Sequence, residues 1–236
     1  MSESATFPQS GIVVWVLASS PSGSPDTSTG WLPKPGYVVG ADGGSALAAR
    51  LSLTPNLVIG DLDSADSSLI AGWEAAGVQV MRYRHTEKVE TDTELAALAA
   101  LQWQPTSIYI LGATGGRLDH ELANMLLLTH PSLAPLDVRI ASGSQEIFLA
   151  KPGLWNELRG QSGDIVSLLP VGGDAQGVET QGLEYPLTHE TLLLGRGRGV
   201  SNRLLAPKAQ VWLDRGFMLV VHLHSGVEPE IEGEAK

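Results

Sequence analysis

A chain of 236 residues that is 43% hydrophobic is long enough for one large packed domain or two small ones. Its formal charge of −11, from 26 acidic residues against 15 Lys and Arg, argues against a surface that grips nucleic acid mainly through phosphates. The absence of Cys excludes a disulfide framework and thiolate metal sites, and no apolar run nears the roughly 20 residues that span a bilayer. No basic segment followed by a long apolar one opens the chain, so no signal peptide, no membrane association and a cytoplasmic setting are expected.

In chain order, "GIVVWVLA" (11–18) reads as a buried strand, and the Ser, Pro and Gly of "SSPSGSPDTSTGWLPKPG" as loop. "YVVGADGG" is a second strand running into glycines, "SALAARLSL" a helix, and "NLVIGD" a third strand. "SSLIAGWEAAG" is a helix stopped at Gly77. "VQVMRY" is a strand. "TDTELAALAALQW" is a helix opened by Thr91 and Glu94 at capping-box spacing. "SIYILG" (strand), "LDHELANMLLLTH" (helix) and "DVRIAS" (strand) complete the alternation. Alternating strands and helices, with strands that are continuous apolar runs, predict a mostly parallel sheet covered on both faces.

Beyond about Gly143 the pattern changes. "QEIFLA", "DIVSLLPV", "GLEYPL", "TLLLG", "AQVWLD" and "FMLVVHLH" are short strand-like runs between Gly, Pro and polar turns, with no helix. The expected fold is therefore α/β plus all-β. Residues 1–143 form a mostly parallel α/β domain, and residues 144–236 an all-β sandwich or barrel.

In a parallel sheet, ligands bind beyond the carboxyl ends of the strands. There "VVGADGG" supplies Asp42, "LVIGDLDS" supplies Asp61 and Asp63, and "RHTEKVETDTE" supplies Lys88, Glu90 and Asp92. Any one of these acids is explained by a turn or a helix start. Four of them meeting at one rim would repel, and an oxygen-liking cation such as Mg²⁺ relieves the repulsion while also binding substrate phosphates. Strand alternation through Asp61-Leu62-Asp63 would point both carboxylates the same way, with Leu62 toward the core. "GATGGRLDH" adds glycines whose N–H groups can turn toward an anion, a following helix start, and Arg117. Its spacing is neither a P-loop nor a dinucleotide fingerprint. Carboxylates for a metal beside glycines for phosphate suggest a nucleoside triphosphate with Mg²⁺.

"ADGG", "GDLDS", "EKVETDTELA" and "GATGGRLDHELAN", with "GLEYPL" and "LGRGRGVSN" later, resemble the thiamine pyrophosphokinase (thiamine diphosphokinase) family over nearly the whole chain. The resemblance implies an N-terminal α/β ATP-binding domain, a C-terminal β-sandwich, and a homodimer with shared active sites. It also implies transfer of the diphosphoryl group of ATP to the thiamine hydroxyl, releasing AMP. By that likeness Asp42, Asp61, Asp63 and Asp92 are catalytic acids, the last three being Mg²⁺ ligands. Lys88, Thr91, Gly115, Gly116, Arg117 and Asp119 contact ATP, and Ser201 and Asn202 contact the substrate. Two positions depart from the family pattern. Val89 stands where an Asp follows the Glu-Lys pair, and Arg203 follows Ser201-Asn202 where an acid or amide is usual. Glu90 is the nearest replacement for the missing carboxylate, but alternation along an extended segment points it elsewhere.

Other polar residues read as less specific. His120 opens a helix beside Asp119, where it could line the pocket, but a local hydrogen bond is the expected role. His222 and His224 share one face of a late strand and, with no third ligand in view, are expected at the surface. Trp155 and Trp212 are the aromatics to test for stacking on a thiazolium. Arg196 and Arg198 would flank a pocket entrance. Two other functions compete: a diphosphokinase for a hydroxymethyl pterin, and a non-catalytic thiamine or nucleotide binder suggested by Val89.

Overall fold

The structure, a computed structural model, describes residues 11–20, 31–63, 65–83 and 89–224. They fall into two units. One holds 11–20 and 32–142, and the other holds Trp31 and 143–224.

The first unit alternates strands with helices. Its strands are β1 (Val13–Leu17), β2 (Tyr37–Ala41), β3 (Leu57–Gly60), β4 (Gln79–Arg82), β5 (Ser107–Leu111) and β6 (Asp137–Ser142). Its helices are α1 (Gly44–Arg50), α2 (Ser67–Ala75), α3 (Asp92–Ala99) and α4 (Leu118–Leu127). The sheet runs β4-β3-β2-β1-β5-β6, and every neighbouring pair is parallel. The central strands are apolar along their whole length because both faces are covered: Val14, Val16, Leu57, Val58, Ile108 and Ile110 are all fully buried. β4 is the edge strand and is only half-buried.

Local chemistry sets the helix ends. The Asp66 carboxylate accepts N–H bonds from Ser68 (2.8 Å) and Leu69 (3.3 Å) at the start of α2, and Gly77 (φ +88°) lies just beyond its end. Thr91 Oγ1 accepts the Glu94 N–H at 3.2 Å and opens α3. The Ala/Leu run predicted as one helix tightens into a 3₁₀ turn over Ala100–Trp103 and stops at Gln104, a left-handed residue (φ +48°).

The second unit is antiparallel, comprising β7 (Gln145–Ala150), β8 (Asn156–Arg159), β9 (Ile165–Gln181), β10 (Glu190–Leu192), β11 (Asn202–Arg203), β12 (Lys208–Trp212) and β13 (Arg215–Leu223). β9 organises it. Its first part pairs with β13 and β11, and its last residues pair with β12, which also pairs with β8. β7 closes on the other side of β13. Phe148, Leu168, Val178, Leu192, Val211 and Met218 lie in its core.

Two sequence expectations need correction. "DIVSLLPV" is only the beginning of β9; the strand continues through "GGDAQGVETQ", where Gly172 and Gly177 take φ of +73° and +63° and let it bend. "GLEYPL" is not a strand. It is a loop with one isolated bridge, Leu183 to Leu204, pinned by Asn202, whose side chain accepts the Tyr185 N–H (3.0 Å) and donates to the Tyr185 carbonyl (2.7 Å). No helix among the described residues is long and apolar enough to cross a membrane.

Candidate active site

In the parallel sheet, β2, β3 and β4 lie on one side of β1 and β5 and β6 on the other, so successive connections turn opposite ways at β1 and β5. Such a reversal opens a crevice beyond the carboxyl ends of the strands. A cavity of about 770 Å³ lies there. Ser19 and Ser20 follow β1, Gly112 and Ala113 follow β5, Asp42 follows β2, and Asp61 and Asp63 follow β3; all line it. Glu90 to Thr93 add the start of α3, and Gly116, Arg117, His120, Glu121 and Asn124 contribute from the start and first turns of α4; Asp119 is not among the lining residues.

Three of the four anticipated acids come together, and Asp92 lines the same cavity outside that group. One carboxylate oxygen each from Asp42, Asp61 and Asp63 lies within 4.8 Å of the others. Asp42 is buried, Asp61 half-buried and Asp63 exposed. Strand alternation does not achieve this. β3 ends at Gly60, and Leu62 takes a left-handed φ of +59°, so a tight turn carries Asp61 and Asp63 back to one place, with the Asp63 N–H 3.5 Å from Asp61 Oδ1. Asp42 is also left-handed, at φ +44°. Backbone strain of order 1–3 kcal/mol at such residues persists when the surroundings hold them, and it clusters at functional sites. Asp92 is on the same wall. A Cβ at Gly60 (φ +148°) would lie 2.9 Å from Asp92 Oδ1 and 3.0 Å from Asp42 Cβ, so only glycine lets these two acids approach across the end of β3.

Gly112 and Gly116 of the glycine loop line the same cavity. Two of the loop's N–H groups hold an anionic side chain: Gly115 and Gly116 donate at 2.9 and 2.8 Å to a single oxygen, Glu121 Oε1, from the first turn of α4. Arg117 forms a bidentate pair with Asp119, Nε to Oδ1 at 3.1 Å and Nη2 to Oδ2 at 2.6 Å. The guanidinium holds the Asp119 pKa down at about 2. The pair is highly exposed, so it contributes little and can open at little cost. Asn124 Nδ2 donates at 2.8 Å to the Ala113 carbonyl and fixes the loop's entry.

Of the other anticipated residues, Thr91 lines the cavity while its hydroxyl caps α3, and Lys88 lies outside the described residues. Asn202 is buried, with Oδ1 also accepting the Arg203 N–H at 2.9 Å; its amide holds backbone. Ser201 is exposed with φ +60° and donates its N–H to Ser167 Oγ at 3.1 Å. Arg198 pairs with Glu190 at 3.0 Å, and Trp155 and Trp212 tilt against each other at 5.7 Å. Val89 is 98% exposed, whereas Glu90, expected to point elsewhere, lines the cavity. Sequence reasoning alone does not single out Ser19, Ser20, Glu121 and Asn124. The first two could have been found from strand order, since they follow the strand at which the connections reverse. His222 and His224, expected at the surface, are buried.

The model for the thiamin pyrophosphokinase catalytic domain matches residues 31–140, which contain all four acids and the glycine loop. The model for the thiamin pyrophosphokinase vitamin B1 binding domain matches residues 156–218. The chain belongs to the thiamine pyrophosphokinase family. It is 27% identical to a thiamine pyrophosphokinase of Bacillus subtilis (strain 168) over 206 residues, 87% of this chain and 96% of that protein. It is also 27% identical to thiamine pyrophosphokinase 1 of Arabidopsis thaliana over 190 residues, 75% of this chain and 69% of that one. The crystal structure of thiamine pyrophosphokinase from Bacillus subtilis superposes with a TM-score of 0.79 at 25% identity, covering 90% of this chain and 99% of that one. The fold is thus the mixed α/β, sheet-rich fold of those structures.

Proposed function

We propose that the acid-lined crevice of the parallel unit is the diphosphoryl-transfer site of this family member, with residues 1–143 as the nucleotide- and metal-binding part and residues 144–236 as the part that recognises thiamine and completes a homodimer. The activity follows from family membership: the enzyme is an ATP-dependent diphosphotransferase that converts thiamine to thiamine diphosphate and releases AMP. A single observation carries the assignment of the site. Carboxylates from three separate strand–helix connections line one cavity of about 770 Å³ together with Gly112 and Gly116 of the glycine loop, and that volume is within the size range of small-molecule sites.

An all-oxygen donor set suits Mg²⁺ rather than a softer metal, so Asp42, Asp61, Asp63 and Asp92 fit the cation this chemistry uses. When bound, the cation would neutralise charge across the polyphosphate. The N–H groups of Gly115 and Gly116 are aimed at one oxygen and are built to take a phosphate oxygen in place of Glu121. Arg117, turning from Asp119, adds a bidentate grip. The thiamine hydroxyl oxygen bonds to the β-phosphorus as the bond from that phosphorus to the α,β-bridging oxygen breaks, and AMP leaves with that oxygen. The hydroxyl proton goes to one of the two acids that flank Gly60, Asp42 or Asp92. Catalysis is then chiefly positioning and charge neutralisation.

A homodimer is part of the proposal. Leu118, Leu122 and Leu126 recur on one face of α4 and are 69%, 52% and 53% exposed, an apolar stripe that a second copy would cover. A cytoplasmic setting accords with the Cys-free composition. The match of residues 156–218 to a vitamin B1 binding domain favours thiamine over a pterin. The test is phosphorus NMR of the enzyme with ATP, Mg²⁺ and thiamine. Equal amounts of AMP and thiamine diphosphate are expected; ATP binding without AMP formation would identify a non-catalytic binder.

A further inference from the structure

A second group of ligating side chains lies in the antiparallel unit, and the reaction above makes no use of it. His222 and His224 alternate on β13, the first fully buried and the second 8% exposed. Strand register places Glu146 of β7 directly opposite His222. Glu146 is buried, as is Asp164, which lies just before β9.

One oxygen, Glu146 Oε2, is 3.9 Å from His222 Nδ1 and 4.0 Å from His224 Nε2. Both distances are too long for hydrogen bonds, yet two ring nitrogens converge on the same oxygen, all within 4.8 Å of one another. His222 Nδ1 is buried and has no hydrogen-bond partner among the described residues. The opposite nitrogen, His222 Nε2, is 2.9 Å from Asp164 Oδ2. The same Asp164 oxygen is 3.7 Å from His224 Nδ1. Asp164 therefore faces the far nitrogen of both rings, the arrangement in which a carboxylate sets an imidazole so that its other nitrogen can ligate a metal. In a tetrahedral zinc site with bonds of about 2.0–2.1 Å, ligand atoms stand about 3.3 Å apart. Closing on an ion thus needs a contraction of roughly 0.6–0.7 Å along the two edges to Glu146 Oε2 and at most about 1.5 Å between the two histidine nitrogens.

Charge points the same way. Asp164 Oδ2 also accepts the Gln161 N–H at 2.9 Å, and one divalent cation would balance the charge of the two buried carboxylates. The two-nitrogen, one-oxygen set suits Zn²⁺, in contrast to the all-oxygen set in the crevice. The surroundings are close-fitting. Trp31 stacks on the His224 ring at 4.8 Å, and a Cβ at Gly160 would lie 2.8 Å from the His222 ring.

We propose that Glu146, His222 and His224 form a Zn²⁺ site in the antiparallel unit, with Asp164 orienting the histidines. The site ties β7 to β13 and is separate from the crevice aspartates. The test strips the full-length enzyme with a chelator and returns Zn²⁺, reading stoichiometry by mass spectrometry of the metal and affinity by calorimetry. Asp61→Asn/Asp63→Asn is run in parallel so that the crevice does not contribute. One Zn²⁺ per chain is expected in both proteins, with Co²⁺ replacing it to give the visible absorption of a tetrahedral nitrogen–oxygen site. Glu146→Gln should lose that equivalent, and Asp164→Asn should bind about 10–100-fold more weakly. The Co²⁺ spectrum of the unsubstituted enzyme keeps the test valid if the Glu146 variant fails to fold. No Zn²⁺ on Asp61→Asn/Asp63→Asn, which would mean a network of protonated histidines and carboxylates alone, overturns the proposal. So does undiminished binding in folded Glu146→Gln.

Discussion

Glu121 holds the two amide donors that the proposed mechanism assigns to phosphate, so ATP must displace it. Both bonds, at 2.9 and 2.8 Å, go to one carboxylate oxygen. Hydrogen bonds to charged groups contribute about 1.5–3 kcal/mol when shielded, but the glycines are exposed, so a joint value of about 1 kcal/mol is appropriate after screening by water. Replacing Glu121 with Ala frees both donors and removes a negative charge from the phosphate path. At about 1.4 kcal/mol per tenfold, ATP should bind roughly fivefold more tightly. Glu121→Gln, which keeps an acceptor but not the charge, should fall between. The assay is calorimetric titration with ATP and Mg²⁺ in the absence of thiamine, which separates binding from turnover. Weaker ATP binding by Glu121→Ala would refute the reasoning, because it would mean that the carboxylate shapes the loop for the nucleotide instead of competing with it.

Asn202→Ala removes the three backbone bonds that pin Tyr185 and Arg203. It should lower stability by about 2–3 kcal/mol, seen in urea unfolding, and raise KM for thiamine more than KM for ATP. Gly60→Ala puts a methyl group 2.9 Å from Asp92 Oδ1 at an unfavourable φ, so kcat should fall sharply while the far-UV spectrum is retained. Asp119 has a folded pKa of about 2, below its usual 3.8, because of Arg117. Any stability linked to its ionised form is complete above the unfolded value and is lost only as pH falls through about 2. Carboxyl NMR should find it ionised throughout pH 4–9, so no limb of the pH–rate profile in that range belongs to it.

Much of this site could be read from local pattern. The run Leu57-Val58-Ile59 requires a buried strand, and acids at its end have nowhere to go but the strand terminus where ligands bind. Thr91 and Glu94 mark the start of α3 through a capping bond that depends only on neighbours in sequence. What could not be read depends on long-range partners or unusual backbone. Leu62 in a left-handed conformation reverses the predicted strand continuation, and apolar residues give no warning of that. The glycines of "GGDAQGVETQ" signal a turn, yet inside β9 they bend a strand that its partners hold together. Alternation put His222 and His224 on one face, but only the register with β7 brings Glu146 beside them and makes that face interior.

The central claim is that the crevice aspartates hold the cation on which diphosphoryl transfer depends. It is tested most directly by measuring AMP release from ATP and thiamine with saturating Mg²⁺ in Asp61→Asn and Asp63→Asn, each checked for native circular dichroism. Loss of one pre-positioned electrostatic contact should cost on the order of 10²–10³ in kcat. Turnover within a few-fold of the unsubstituted enzyme in both folded variants would contradict the account.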